Sequence, residues 1–499
     1  MNHYLKYISE IFWPTNYEKY ISCRDKQLPK SISLVDFHIS LKLANTSESQ
    51  IISLLSKNEV ELKNPNIYIP KHYIAKYDWT RWWLGNNVRH KLWLYYIQES
   101  SAALSASLLD LSKWDIVLDM CASPWGKSVQ ILNQLNNHWW WILVSNEIDR
   151  SRTETLKENI YKYGFTNDVI ISHDAKYISK ELPKFFDKIL VDAPCSGEWT
   201  CHRSTKFLDK WSLDLVHKTA KLQLEILDNI YDSLKVGWIL VYSTCTINTY
   251  ENEWVVAKFL ANHSDMRLAD LGGLWFESGM KWYDLSDESC DKVVRLLPHI
   301  HHTGGFFVAK FVKSENLSTS RQGITHISNI KQIYIQNNLI SSINLESKDI
   351  QSFCKYIYDK FDFGVSEGYF YQNGEYIYYV NGWSDQISQT IYDLNNKIFK
   401  SVAGISIAKI SRKWYILEHA FGKVFGKLAK KSIIYIDNMD ILTKLVSEWT
   451  ADVGEDVLVC GDNDIDNQFI FAYRDMSCGL NIYIWIGKLL PNGLKFNCR

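Results

Sequence analysis

Glycine is scarce in this chain. It occurs 23 times in 499 residues, whereas an average usage of about 7% would give roughly 35 copies. Tryptophan shows the opposite bias, with 20 copies against 21 of phenylalanine. The glycine deficit and the tryptophan excess are of similar size. Taken alone, these two biases suggest a chain rich in aromatic side chains, as in a protein with a stacking surface.

Three further absences narrow the class of protein. The most apolar run, 139–144, is about a third of a membrane span, and the first residues lack the pattern of a signal peptide. The ten cysteines include no CxxC pair, so we expect no zinc ribbon, no metal site, no disulfide scaffold and a cytoplasmic location. A net charge of −1 excludes a strongly basic nucleic-acid coat but allows a local basic groove.

The length and the composition predict two or three folded domains. With 46% hydrophobic and 22% charged residues, the chain is too apolar for disorder, and 499 residues exceed one ordinary domain. We expect a mixed, largely helical N-terminal region at 1–100, a core domain at 101–313 and a polar linker at 314–345. Residues 346–499, with their short tyrosine and isoleucine alternations, predict a β-rich domain.

The core domain alternates short apolar runs with helical periods. The strand-like runs are 115–122, 142–148, 169–173, 186–192, 239–242, 293–297 and 306–311, and the helical ones include 127–135, 151–163 and 216–234. Asn248, with Glu251 three residues later, is predicted to cap a further helix. This alternation predicts a parallel sheet with helices on both faces. Its ligands should bind at the carboxyl ends of the strands.

The first strand ends in a turn typical of a nucleotide site. Residues 119–128 read Asp-Met-Cys-Ala-Ser-Pro-Trp-Gly-Lys-Ser and join a strand to a helix N-terminus. Glu147, at the end of the next strand, is placed to accept hydrogen bonds from two ribose hydroxyls. Asp174, after the third strand, is placed to receive an adenine amino group. Each feature also has a purely structural explanation. The first would then be an ordinary βα turn, Glu147 a helix-capping acid, and Asp174 a turn aspartate.

Two cysteines lie at the ends of the next two strands. Cys195 follows 192–194 (Asp-Ala-Pro), and Cys245 follows 242–244 (Tyr-Ser-Thr). A single cysteine is usually a small core residue, but two in matched polar turns indicate thiol chemistry. A thiolate that adds to carbon 6 of a pyrimidine makes carbon 5 nucleophilic enough to attack a methyl donor. A second thiol or a nearby base then helps to collapse the adduct.

These blocks resemble the RNA 5-methylcytosine methyltransferases of the Fmu/Sun type. The similarity covers about 80–313, in family order, at 96–102, 119–128, 146–147, 174, 192–198, 242–246, 251–253, 295–299 and 304–307. It implies a Rossmann-like class I methyltransferase fold, S-adenosylmethionine as the methyl donor and an RNA cytosine, extruded from its stack, as the target. The C-terminal region is more weakly similar to the PUA-like RNA-binding domain of bacterial members that modify small-subunit ribosomal RNA.

The resemblance also implies a role for each matching residue. Cys245 would be the attacking nucleophile and Cys195 the aid to product release. Lys127 and Asp192 would orient the target base. The cofactor-binding residues would be Cys121, Ala122, Ser123, Pro124, Trp125, Gly126, Lys127, Glu147, Asp174 and Asp192. The expected activity is methylation of cytosine carbon 5 in RNA by a monomer. Ribosomal RNA is the favoured substrate, and transfer RNA or an inactive RNA-binding homologue are the alternatives.

The chain departs from the family where tryptophan replaces glycine. The affected positions are Trp93, Trp114, Trp125, Trp199, Trp238 and Trp254. In the first turn, glycine allows positive φ and close approach to the cofactor, whereas the indole of Trp125 would occupy that space. Either the protein is a decayed RNA binder, or UGA codons read as glycine have been translated as tryptophan. The intact cysteines and acids favour recoding. Trp211, which we place inside a helix, is expected to be genuine.

Overall fold

The computed structural model describes most of the chain. The described residues are 3–12, 16–24, 28–35, 48–56, 60–63, 69, 71–76, 84–112, 114–135, 141–198, 211–271, 274, 276–281, 285–314, 348–365, 368–380, 402–411, 414–448, 450–451, 457–460, 466–475, 480–490 and 493–496. Within these ranges, no helix combines the length and the apolarity that a membrane crossing requires. The expected linker lies outside them, apart from residue 314.

The N-terminal region contains a small sheet as well as helices. Its elements are α1 (His3–Phe12), α2 (Tyr17–Arg24), β1 (Ser31–Leu34), α3 (Glu48–Ser56), β2 (Glu61–Lys63), β3 (His72–Lys76), a 3₁₀ turn (Leu84–Asn86), α4 (Val88–Lys91) and β4 (Tyr95–Ile97). The strands pair antiparallel in the order β2-β3-β1-β4. The expected mixed region is present. Its strands are not evident in the sequence, because each has only three to five residues.

The core domain follows the predicted alternation closely. Its elements are α5 (Ser100–Ser107), β5 (Ile116–Asp119), α6 (Gly126–Leu135), β6 (Ile142–Asn146), α7 (Arg150–Tyr163), β7 (Asp168–Ile171), α8 (Ala175–Glu181), β8 (Phe186–Asp192), α9 (Leu213–Ile230), a 3₁₀ turn (Tyr231–Ser233), β9 (Leu234–Thr244), a π-helical turn (Tyr250–Trp254), α10 (Val255–Asn262), β10 (Met266–Leu268), β11 (Glu277–Ser278), α11 (Asp287–Cys290), β12 (Val293–Leu296), α12 (Pro298–His301) and β13 (Phe306–Lys313). Each predicted strand is present, with bounds that differ by a few residues.

The C-terminal region is rich in strands, as expected. Its elements are α13 (Lys348–Phe361), β14 (Tyr369–Asn373), β15 (Tyr376–Val380), β16 (Val402–Ala403), β17 (Ile405–Ile410), β18 (Tyr415–Leu417), α14 (His419–Phe425), β19 (Ile433–Ile436), α15 (Met439–Glu448), β20 (Thr450–Ala451), β21 (Val457–Cys460), β22 (Phe469–Asp475), β23 (Leu480–Leu490) and β24 (Gly493–Phe496). They form a four-stranded sheet, β14-β15-β17-β18, and a six-stranded sheet, β20-β24-β23-β22-β19-β21.

A mostly parallel sheet forms the centre of the core domain. Its strand order is β11-β12-β13-β9-β8-β5-β6-β7-β16. The pairs β5–β6, β5–β8, β6–β7 and β8–β9 are parallel, and β13 joins β9 antiparallel. The chain runs outward from β5 in one direction to β7 and then returns to β8 and β9 on the other side. The predicted doubly wound α/β fold is therefore confirmed, and its switch point lies between β5 and β8.

Helices cover both faces of this sheet. Strands β5, β6 and β7 are buried along their whole length, which explains their unbroken apolar sequences. Val117 and Leu143 pack in one apolar cluster with side chains of α5, α6 and α7, such as Leu104, Leu132 and Ile160. Leu118 and Val144 pack in a second cluster with side chains of α8, α9 and α10, such as Ile178, Leu227 and Val256. Alternate strand residues thus fill two cores.

The C-terminal region extends the central sheet directly. Strand β16 pairs antiparallel with β7, with Val402 opposite Ile170 and Ala403 opposite Val169. The N–H of Gly404 donates to the carbonyl oxygen of Asp168 over 2.8 Å. Backbone hydrogen bonds therefore cover the edge of β7, and the two regions are joined by more than the intervening chain.

A fully buried ion pair lies beneath the carboxyl edge of the sheet. Arg295 on β12 and Glu253 in the π-helical turn are 1% and 0% exposed. The Arg295 Nε donates to Glu253 Oε1 over 2.6 Å, and its Nη1 donates to the carbonyl oxygen of Ile247 over 2.8 Å. The pair thus ties the antiparallel strand β12 to the loop that follows β9.

Removing one member of this pair should destabilise the fold strongly. We expect Arg295→Ala to lower the free energy of unfolding by about 3–5 kcal/mol, because it leaves the carboxylate of Glu253 buried without its counter-ion. Urea denaturation measures this change. Lys281→Ala, which removes an exposed ion pair with Asp287, is the control and should leave unfolding unchanged. Equal effects of the two substitutions would show that burial of the first pair is unimportant.

Candidate active site

The structure brings the candidate residues to one edge of the sheet. The turn at 120–125 follows β5, Glu147 follows β6, Asp174 follows β7, and Asp192 ends β8. Cys245 follows the last residue of β9. Because these five strands are parallel neighbours, their carboxyl ends lie side by side. The sheet therefore assembles residues that are separated by more than 100 positions in the sequence.

The turn after β5 is held by backbone and side-chain hydrogen bonds. The N–H of Ala122 donates to Asn146 O over 2.9 Å, and Arg152 Nη2 donates to Ser123 O over 3.2 Å. Ser128, in the first turn of α6, donates from its hydroxyl to Asp119 Oδ2 over 2.7 Å. The N-terminus of α6 follows immediately, and such a terminus offers free N–H groups to a ligand.

Asp119 is a buried acceptor inside this turn. Its Oδ1 has no hydrogen-bond partner of normal geometry among the described residues. Burial, together with the nearby Asp192 carboxylate, raises the pKa of Asp119 to about 7. Burial also raises the pKa of the neighbouring Cys121 thiol far above its ordinary range. Cys121 is therefore a poor nucleophile. The unpaired oxygen fits a cofactor that carries N–H or O–H donors.

Asp174 and Glu147 follow neighbouring strands, and only Asp174 caps the next helix. Asp174 is exposed and caps α8 by accepting the Lys176 N–H over 2.9 Å. The residue that caps α7 is Asp149, which accepts the N–H of Ser151. Glu147 is buried at 4% exposure and accepts the Asp149 N–H over 2.9 Å. A buried carboxylate that is not the helix cap fits the predicted ribose contact.

Lys127 and Asp192 form an ion pair at the centre of the edge. Lys127 Nζ lies 2.6 Å from Asp192 Oδ2 and 5.4 Å from the centre of the Phe306 ring. Ser243 donates its hydroxyl to Asp192 Oδ1 over 2.8 Å. Burial alone would lower the pKa of Lys127, but the carboxylates of Asp192 and Asp119 outweigh it and raise that pKa. A fixed cation and carboxylate can together orient the hydrogen-bonding edge of a base.

The two cysteines are in direct contact. The Sγ atoms of Cys195 and Cys245 lie 2.8 Å apart, and both side chains are partly buried. The hydrogen bond with Cys245, together with burial, raises the pKa of Cys195 well above its usual range. A thiol that keeps its proton is a poor nucleophile. Cys195 is therefore suited to a role other than the initial attack.

Sequence reasoning missed the residues that hold the cysteine loops. Glu198 and Glu251 are both fully buried, and each accepts hydrogen bonds from the loop of the other cysteine. The predicted cap is present, because the Glu251 N–H donates to Asn248 Oδ1 over 2.8 Å. However, the turn that it caps is π-helical and α10 begins only at Val255. The signal in the sequence is the polar run 248–253 ahead of an apolar helix.

Three tryptophans have backbone conformations typical of glycine. The φ angles are 64° at Trp93, 77° at Trp114 and 149° at Trp125. Residues with a side chain rarely adopt such angles, and a bulky side chain at φ 149° is a clear outlier. Trp254 has an ordinary helical φ of −63°, and Trp238 is not among the residues with positive φ. The backbone therefore favours glycine at three of the six predicted positions. Trp199 lies outside the described residues.

The indole of Trp211 is buried and forms both a ring contact and a hydrogen bond. It precedes α9, whose cap is Ser212, so its predicted place inside a helix is wrong by a residue or two. The ring is 4% exposed and lies edge-on to Tyr4 at 5.2 Å between ring centres. Its Nε1 donates to Glu198 Oε1 over 3.3 Å. The packing and the hydrogen bond both require tryptophan at this position.

Solved structures define the class of this fold. A methyltransferase homologue from Pyrococcus horikoshii matches with a TM-score of 0.53 and 26% identity, covering 62% of this chain and 93% of that protein. The crystal structure of NSun6 from Pyrococcus horikoshii with SFG shares the fold, with a TM-score of 0.53 and 21% identity over 63% of this chain and 99% of that one. The sheet thus has the Rossmann-like fold of a methyltransferase.

Sequence comparisons match the same part of the chain to a named family. Residues 106–312 match the family of the 16S rRNA methyltransferase RsmB/F. Ribosomal RNA small subunit methyltransferase F of Vibrio cholerae serotype O1 (strain M66-2) is 29% identical over 422 residues, 82% of this chain and 80% of the relative. The Shewanella oneidensis protein of the same name is 33% identical over 238 residues, 47% of this chain and 48% of the relative. Residues 106–312 are thus similar to the RsmB/F family.

Replacing Trp125 should relax the cofactor turn. In protein made with tryptophan at this position, we expect Trp125→Gly to relieve about 1–3 kcal/mol of backbone strain. The change should also tighten S-adenosylmethionine binding at least tenfold, measured by calorimetry. Trp211→Gly is the control and should lower stability without improving binding. If Trp125→Gly left both binding and stability unchanged, the indole would be compatible with the site.

Proposed function

We propose that this chain methylates carbon 5 of a cytosine in RNA through a covalent adduct with Cys245. The pair of thiols 2.8 Å apart at neighbouring strand ends, beside Lys127 and Asp192, carries this proposal. S-adenosylmethionine supplies the methyl group. The names of the relatives, which are small-subunit ribosomal RNA methyltransferases, support ribosomal RNA as the substrate. Transfer RNA is the second candidate within the same chemistry.

The two thiols act in sequence. The Cys245 thiolate forms a bond to carbon 6, and the electrons displaced onto carbon 5 form the bond to the methyl group as the bond between that group and the donor's sulfur breaks. Lys127 and Asp192 hold the amino and ring-nitrogen edge of the base during this step. The proton on carbon 5 then leaves, the bond between carbon 6 and the sulfur breaks, and Cys245 is released as a thiolate.

Cys195 is suited to remove the carbon 5 proton. In the free protein, the hydrogen bond with Cys245 is the leading cause of the raised pKa of Cys195. Once Cys245 is bound to the base as a thioether, its sulfur is uncharged, and that cause is weakened. Cys195 can then lose its own proton to water and, as a thiolate, accept the one from carbon 5.

The cofactor would lie in the crevice above β5 and β6. The turn from Cys121 to Lys127 would surround it, Glu147 would accept the ribose hydroxyls, and Asp174 would reach the adenine amino group. The buried oxygen of Asp119 supports this position, since it offers an acceptor at the base of the same turn. Asp192 would lie between the cofactor and the target base.

The C-terminal region would serve RNA recognition. We assign 1–100 to an accessory N-terminal region, 101–313 to the methyltransferase domain, 314–345 to the linker and 346–499 to a PUA-like RNA-binding domain in a monomer. The β-rich sheets of the last region support this assignment. Its local aromatic side chains would contact single-stranded bases by stacking.

We further propose that position 125 is glycine in the functional protein. The φ of 149° at Trp125, with positive φ also at Trp93 and Trp114, supports a UGA codon read as glycine. The intact thiols and acids disfavour the alternative, an inactive RNA-binding homologue. Sequencing the gene decides between the two: UGA is expected at codon 125, and UGG there would refute recoding.

The two cysteine variants should behave differently. We expect Cys245→Ala to abolish both methylation and the covalent complex with RNA, because no nucleophile remains. Cys195→Ala should accumulate a protein–RNA adduct that survives denaturing electrophoresis, because carbon 5 keeps its proton. Incubation with RNA and labelled S-adenosylmethionine measures both products. The reverse pattern would show that the roles of the two thiols are exchanged.

The substrate can be identified directly. We expect protein with glycine at 125 to transfer labelled methyl groups to small-subunit ribosomal RNA and to produce 5-methylcytosine at one position, mapped by bisulfite sequencing. Labelling of transfer RNA alone would select the second candidate. No incorporation into either RNA would contradict the enzymatic function and favour an inactive homologue.

A further inference from the structure

Glu198 ties the loop of Cys195 to the loop of Cys245. It lies three residues after Cys195 and is fully buried. Its Oε2 accepts the backbone N–H groups of Ile247 and Asn248, each over 3.0 Å. Its Oε1 accepts from Asn248 Nδ2 over 2.8 Å and from Trp211 Nε1 over 3.3 Å. One carboxylate therefore holds the backbone two and three residues after Cys245.

Glu251 makes the reciprocal connection. It belongs to the segment that follows Cys245, and its Oε2 accepts the backbone N–H of Ser196, next to Cys195, over 2.9 Å. The hydroxyl of Ser196 donates to the other oxygen, Oε1. Gln223 on α9 donates to Oε2 over 2.8 Å and also to the carbonyl oxygen of Pro194 over 2.9 Å. The residues on both sides of Cys195 are thus fixed through one carboxylate and one amide.

Asn248 joins the two carboxylates. Its Nδ2 donates to Glu198 Oε1 over 2.8 Å and to Glu251 Oε1 over 2.7 Å. Burial, reinforced by the neighbouring Glu251, raises the pKa of Glu198 to about 7, and burial raises that of Glu251. Arg295 pairs with Glu253 instead. Burying two adjacent carboxylates lowers the stability of a fold. We therefore expect this pair to have a functional role.

The two cysteines depend on this arrangement to different degrees. Cys245 directly follows the last residue of β9, a strand paired on both sides. Cys195 lies three residues beyond the end of β8, in the irregular stretch 193–197, where Gly197 has a φ of 70°. The sheet alone therefore fixes Cys245, whereas the position of Cys195 rests on the hydrogen bonds around Ser196 and Glu198.

We propose that Glu198, Asn248 and Glu251 are positioning residues that hold the Cys195 thiol against Cys245, so that Cys195 reaches the adduct. The role of Cys195 in resolving the adduct rests on the proposed function, whereas the control of the thiol separation does not. Losing the carboxylate of Glu198 or of Glu251 should displace Cys195, while Cys245 and the turn at 120–125 stay in place. The loss should therefore affect the release of the product more than the initial attack.

Glu251→Gln and Glu198→Gln test this proposal by the fate of the adduct. We expect methyl turnover to fall at least tenfold in each variant, while the affinity for S-adenosylmethionine is unchanged. The covalent protein–RNA complex should accumulate, as in Cys195→Ala, because Cys245 still attacks. Ser196→Ala removes only one hydrogen bond to Glu251 and should show a smaller effect of the same kind. Normal turnover in both glutamine variants would overturn the proposal.

The separation of the thiols is measured without RNA. Dibromobimane becomes fluorescent when it alkylates two neighbouring thiols, so the unmodified protein should give a signal that Cys195→Ala and Cys245→Ala both lose. We expect Glu251→Gln to reduce this signal at least threefold. If the signal falls but no variant forms an adduct, positioning is supported and the proposed chemistry fails. If the signal does not change, the positioning role is refuted.

Asp187→Asn is the matched control. Asp187 is a buried carboxylate near the start of β8, where it accepts the Ile116 N–H over 2.9 Å and pairs with Lys235 at 2.7 Å. Its loss should destabilise the fold without moving the thiols at the other end of the strand. We expect a normal bimane signal and no adduct accumulation. If Asp187→Asn lost the bimane signal and accumulated the adduct as Glu251→Gln does, general destabilisation would explain both results and the proposal would be overturned.

Discussion

Parallel pairing of β8 with β9 places Asp192 opposite Ser243 and brings the loops of Cys195 and Cys245 side by side. The hydrogen bond from Ser243 to Asp192 Oδ1 follows from this register, and Lys127, at the start of α6, pairs with the other oxygen of the same carboxylate. A shift of one residue would turn these side chains to the opposite face of the sheet. The geometry of the candidate active site therefore depends on this strand pairing.

Buried polar groups restrain the loops that follow the strands of the sheet. The sheet brings the strand ends together, but the loops beyond them have no regular structure of their own. Glu198 and Glu251 supply fixed acceptors in a space where water does not compete, so each hydrogen bond restrains its loop firmly. The buried ion pair of Arg295 and Glu253 restrains the same loop, through the hydrogen bond from Arg295 to the carbonyl oxygen of Ile247. The cost of burying these charges is offset by satisfied hydrogen bonds.

The scarcity of glycine has a structural counterpart. Trp93, Trp114 and Trp125 combine a large side chain with φ angles that suit glycine. Trp211, by contrast, donates a hydrogen bond from its buried indole to Glu198. Positive φ thus marks three tryptophan positions that suit glycine, and Trp211 is not one of them. Composition alone suggested a stacking surface, which the positions of these residues do not support.

The order of strands and helices, and the residues at the strand ends, could be predicted from the sequence because parallel strands buried on both faces are continuous apolar runs. The short N-terminal strands and the pairing of β16 with β7 could not, since both depend on contacts between distant segments. The same reason applies to Glu198 and Glu251. Their sequence positions show two acids among many, and only the folded chain brings each carboxylate to the other cysteine's loop.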